Sequence, residues 1–159
     1  MRAAGRSAVD AFEIVNRALR ELETIRNAAP PAPFGELPWP ISVGILHAGD
    51  WASTVPDRLV AEGRYGVMPG ESFGDAQQAF EQAIAAASTA DPWLAEQPPT
   101  ISWPGGHFAA GTLPVGHPFG DEVAAAVTAG GGSAPQLVGA PYGSDLRQYA
   151  AASIPTPGS

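Results

Sequence analysis

From Ser7 to about Asn27 the apolar residues Phe12, Val15, Leu19, Leu22 and Ile25 recur at three- and four-residue steps. That spacing predicts a helix with one buried stripe. Ser7 caps its start, Asp10 suits the positive end of its dipole, and Glu13 with Arg17 predicts an i,i+4 pair on the wet side. Pro30 and Pro31 end it, since proline cannot continue a helix and restricts the residue before it. After a proline-rich connection over 28–40 the period drops to two. Ile41, Val43 and Ile45 alternate with Ser42 and Gly44. Leu59, Ala61, Gly63, Tyr65 and Val67 then alternate with Val60, Glu62, Arg64 and Gly66, between the turns Val55-Pro56-Asp57 and Met68-Pro69-Gly70-Glu71. Each run predicts a strand with one face on a core, and the short link between them predicts an antiparallel pair. Trp51, in that link, reads as a core plug beneath the loop. The helical period returns with Ser72 as cap, Asp75 three residues on, and a stripe of Phe73, Ala76, Phe80, Ala83, Ile84 and Ala87. It stops before Asp91-Pro92, and Thr100-Ile101-Ser102-Trp103 predicts a short strand.

The order helix, strand, strand, helix, strand predicts an α+β fold with helices on one face of an antiparallel sheet. A ferredoxin-like β-α-β-β-α-β layout fits if one further strand precedes Ser7, so the first strand is expected to be missing. After about Gly111 the pattern changes. Pro118 to Thr128 predicts a helix with Phe119, Val123 and Val127 on one side, Gly130-Gly131-Gly132 a break, Gln136–Gly139 a buried strand, and Asp145–Ala150 another helix. This alternation predicts a partial α/β segment. The expected division is 1–110 and 111–159, with both ends cut.

Composition narrows the function classes. The net charge of −8, with eight scattered basic residues, argues against a nucleic-acid partner or an anionic membrane. With no cysteine there is no disulfide, thiolate zinc site or cysteine nucleophile. No apolar run approaches the roughly 20 residues that span a bilayer. Asp10 and Glu13 interrupt any signal-peptide pattern, so a cytoplasmic protein is expected.

Candidate chemistry is sparse. His47, His107 and His117 are too far apart for a helical metal pair and read as structural or solvated, with His107 the best placed for a site. Gly130–Gly132 lacks the pattern of a nucleotide loop, and Gly143-Ser144-Asp145 does not match a nucleophile elbow. Arg147 lies one turn into a helix opened by Ser144 and Asp145. A guanidinium there can grip a carboxylate with two parallel hydrogen bonds, or can be a surface arginine paired with Asp145 or Glu122. Both readings stay open on the residues alone.

Four stretches taken together carry a resemblance: SAVDAFEIVNRALRELE, STVPDRLVAEGRYGVMPGES, GHPFGDEV and GAPYGSDLRQYAAASIPTP. In this order and spacing the chain resembles the acetylornithine deacetylase, succinyl-diaminopimelate desuccinylase and carboxypeptidase G family of zinc-dependent amidohydrolases. The resemblance implies a lid, or dimerisation, domain followed by part of a catalytic domain. It also implies a metallopeptidase-like hydrolase of amino-acid metabolism, acting as a deacetylase or peptidase on N-acyl amino acids or small peptides. Two zinc ions would serve the whole enzyme, bound by ligands outside this chain. The lid would make a homodimer. Tyr142, Gly143, Ser144 and Arg147 match the turn near the substrate carboxylate, and Ser53 stands where the family usually has a substrate-reaching Asn. The alternatives are a dimerisation module with no chemistry of its own, and an unrelated single-domain fold in which the last fifty residues join the first sheet.

Overall fold

The structure is a computed structural model that describes residues 5–31, 34–113, 116–139, 145–152 and 154, and only the backbone of residues 146 and 150. Its first helix, α1 (Ala8–Arg26), begins at Ser7, whose hydroxyl accepts the Val9 N–H at 3.2 Å, and ends at Asn27. The stripe it buries is Ala11, Val15, Leu19 and Glu23, with Phe12, Ile14 and Leu22 packed beside it. This i,i+4 row drifts round the helix, so Ile25, expected in the stripe, ends up 72% exposed while Glu23 takes the inner place. Glu13 and Arg17, expected to pair, form no ion pair.

Strands β1 (Ile41–Ala48) and β2 (Leu59–Tyr65) form an antiparallel hairpin, the two-stranded sheet of the described residues. Ile41 faces Tyr65 and Val43 faces Gly63, but Ile45 faces Glu62, so Gly44 is the extra residue of a bulge. Because side chains alternate, one extra residue changes the phase. By the pairing, Ile41 and Val43 lie on the face of Tyr65 up to the bulge; beyond it Leu46 and Ala48 take that face, opposite Ala61 and Leu59, with Leu46 still 46% exposed. Ile45 is thereby turned to the outer face beside Val60, and both are exposed. The expected uniform alternation of Ile41, Val43 and Ile45 is corrected by this bulge. In β2 the expected phase holds at its ends, where Leu59 and Tyr65 are half-buried, while Ala61 and Gly63 are exposed. Trp51 is 71% exposed and plugs nothing: the loop over 49–58 is held instead by Pro56, whose carbonyl accepts the Ala8 N–H at 2.8 Å.

Helix α2 (Phe73–Ala90) starts at Ser72, whose hydroxyl accepts from Asp75 N at 3.1 Å and donates to the Asp75 carboxylate at 2.7 Å. Ala76, Ile84 and Ser88 are buried along it, and α1 packs against it. The expected stop before Asp91 holds, and a five-residue helix that the sequence reading did not include, α3 (Pro92–Glu96), follows at once. Asp91 caps it by accepting from Trp93 N and Leu94 N, and Leu94 completes the core of Ala11, Val15, Leu19, Ile41 and Ile84. Thr100–Trp103 forms no strand, since no ladder partner among the described residues reaches it; Trp103 is fixed by its indole N–H on Glu81 at 2.9 Å and by the rings of Phe80 and Tyr65.

Helix α4 (Pro118–Ala129) forms where expected, capped by His117 Nδ1, which accepts the Phe119 N–H at 3.2 Å. Gly130 closes it and Gly131, at φ +85°, turns the chain away in a conformation that a side chain would strain. Gln136–Gly139, expected as a buried strand, forms none: no described residue pairs with it, and Leu137 and Val138 are exposed. Helix α5 (Leu146–Ala151) follows the expected range. No described residue after 110 joins the sheet, so the single-sheet alternative finds no support here. The coarse α+β class stands. No helix among the described residues is long and apolar enough to cross a membrane.

Candidate functional site

The last turn of α1 carries the densest set of polar contacts. Arg26, its side chain only 5% exposed, meets Glu71 with two parallel bonds, Nη1 to Oε1 at 2.8 Å and Nη2 to Oε2 at 2.6 Å. Nη2 also donates to the Gly66 carbonyl at 2.9 Å, and the guanidinium lies over the Tyr65 ring at 4.7 Å. Glu71 Oε2 accepts the Met68 N–H at 2.8 Å, closing the Met68-Pro69-Gly70-Glu71 turn. Burial works against the Glu71 charge, but the bonds from Arg26 and Met68 and the attraction of the guanidinium hold the carboxyl below its usual range. Hydrogen bonding to Glu71 outweighs burial at Arg26 and pushes its pKa further up. Burial pushes the Tyr65 phenol up, against the pull of Arg26.

One turn earlier and one residue later, the helix holds the other strand. Glu23 Oε1 accepts the buried Ile41 N–H at 2.6 Å. Asn27 both donates to the Trp39 carbonyl and accepts its N–H, each at 3.0 Å. Gly66 N donates to Pro40 O, and a Cβ on Gly66 would sit 2.6 Å from Trp39 Cα, so only glycine allows this close approach. Three side chains of α1 therefore fix both ends of the open side of the hairpin. They were missed because each is polar within an otherwise apolar pattern; the spacing of Glu23 behind Val15 and Leu19 was the available signal.

Arg147 lies elsewhere, beside the start of α2. Its Nη1 donates to the His107 carbonyl at 3.1 Å, and its guanidinium lies 4.2 Å over the Phe108 ring. The His107 imidazole stacks near Phe73, ring centroids 4.9 Å apart, and its Nε2 is 3.3 Å from Gln77 Nε2. Arg147 pairs with neither Asp145 nor Glu122, and no other carboxylate among the described residues meets it, so the surface pair with those two residues is not what forms. Tyr142, Gly143 and Ser144 lie outside the described residues. Ser53 is exposed in the loop over 49–58.

Ser53 and Arg147 do not meet. Arg26 near Glu71 and Arg6 on Asp91, at 2.7 and 2.8 Å to its two oxygens, show that α1 and α2 run antiparallel. Pro56 ties the Ser53 loop to the start of α1, whereas Arg147 sits with Phe73 and Gln77 at the start of α2. The two candidates lie at opposite ends of a helix layer that, at 1.5 Å per residue, is roughly 27 Å long. Among the described residues no three His, Asp or Glu side chains come together to hold a metal ion.

No family model matches the chain, and no curated protein matches it.

Proposed function

We propose that the chain is the lid domain, with an adjoining part of the catalytic domain, of a zinc-dependent hydrolase that cleaves the amide bond of N-acyl amino acids or small peptides, as acetylornithine deacetylase-like enzymes do. Its own contributions are to pair two copies and to hold the substrate carboxylate at Arg147. The observation that carries the reading is the hairpin: its outer face presents Ile45 and Val60, Trp51 stands out from its loop, and among the described residues both strands have an unpaired edge. Exposed edges and apolar outer faces are what a strand pair offers a second copy.

The ferredoxin-like lid is part of this proposal. In a split βαβ sheet the strand after α2 pairs with the strand before α1, not with the hairpin. That layout fits a Thr100–Trp103 segment held by aromatic rings rather than by a ladder. The zinc ions would supply an activated water and polarise the amide carbonyl. The reading assigns those steps to residues outside this chain.

The test is hydrolysis of N-acetylated amino acids by the purified chain with added zinc. The account expects no turnover above the blank. Turnover that a chelator abolishes would overturn the assignment of the metal ligands to residues outside this chain. A dimerisation module without chemistry shares the hairpin observation but gives Arg147 no carboxylate to hold, so carboxylate binding separates the two.

A further inference from the structure

We infer that Phe108, with the His107 carbonyl, is the positioning element of the Arg147 anion grip. This rests on the carboxylate reading of Arg147 and adds what makes the grip work. A lone arginine on a six-residue helix is flexible, and ordering a flexible side chain costs part of any contact it makes. Here one hydrogen-bonding edge of the guanidinium is engaged by His107 O at 3.1 Å, and its flat face rests 4.2 Å over Phe108. Among the described residues no further acceptor bonds the guanidinium and no carboxylate meets it. Stacking and a single carbonyl fix a plane without neutralising it, which is the arrangement that suits two parallel bonds to a carboxylate.

The platform is itself held in place. His107 is anchored to α2 through Phe73 and Gln77, so the residue that fixes the guanidinium belongs to the helix–sheet unit rather than to the segment that carries Arg147. Phe108 is 56% exposed and lies outside the buried core. Removing the ring should therefore leave the fold intact.

The experiment uses the 159-residue chain, ¹⁵N-labelled, titrated with N-acetylglycine and, as the uncharged control, N-acetylglycinamide. The Arg147 Nε–H signal, shielded by the ring beneath it, is expected to move with the acid and not with the amide. Phe108→Leu is expected to shift that signal downfield in the free protein and weaken acid binding about two- to fivefold, the size of an exposed cation–π contact. Phe108→Tyr is expected to restore both. If Arg147→Gln abolishes binding while Phe108→Leu binds undiminished, the carboxylate reading stands and the positioning role falls. If the acid fails to bind, or Arg147→Gln binds it as well as the parent, the carboxylate reading falls and the positioning role with it.

Discussion

Glu71 shows how much one side chain can organise. Its two oxygens receive Arg26 and the Met68 N–H, so the turn after β2, the exit of the strand at Gly66 and the end of α1 meet on one carboxylate. Removing one partner of a buried pair strands the other, so Glu71→Gln is expected to destabilise the fold by about 3 kcal/mol in denaturant unfolding at neutral pH. Replacing both partners together, as Arg26→Met with Glu71→Met, should cost less than the sum of the two single changes. The pH dependence follows from the same geometry. Because the folded carboxyl titrates below its ordinary 4.5, its contribution is fully present above that value and is lost as pH falls through the folded pKa. Acid unfolding of Glu71→Gln should therefore be less steep below pH 4.5 than that of the parent; equal steepness would place the acid sensitivity elsewhere.

At the scale of elements, the ends of the helices were the most legible part of the sequence. Ser72 caps α2 through Asp75 as the residue types suggest, and Ser72→Ala is expected to cost about 1 kcal/mol of stability, read by thermal or denaturant unfolding. An unchanged midpoint would mean that water replaces the cap at no cost. Helix stripes were legible in outline, because a 3.6-residue period survives small errors of phase. Strand faces were not, because one inserted residue inverts everything after it. Gly44 gave no local warning, and so Ile45 was assigned to the core it faces away from. Thr100–Trp103 and Gln136–Gly139 have strand-like composition, yet a strand exists only where a second one supplies a ladder. Arg147 was legible as a charged residue in a promising place; its seat on Phe108 and His107 was not, since 40 residues of chain separate them from it.

For the whole molecule, the helix layer and the hairpin make a small core built on Ala11, Val15, Leu19, Ile41, Ile84 and Leu94. Polar residues fix its open end, at Glu23, Arg26 and Asn27, while Arg6 and Asp91 join its opposite end. Among the apolar surfaces this core leaves uncovered are the hairpin's outer face and the Trp51 loop, and both are proposed to meet a second copy. Sedimentation velocity across a concentration series tests that claim most directly, comparing the parent chain with Ile45→Lys, a change at an exposed position that should leave the fold intact. The account predicts a parent chain that sediments as a dimer at high concentration and an Ile45→Lys variant that stays monomeric over the same range, with unchanged circular dichroism. A parent chain that remains strictly monomeric at the highest concentration, or a variant that dimerises as well as the parent, would contradict it.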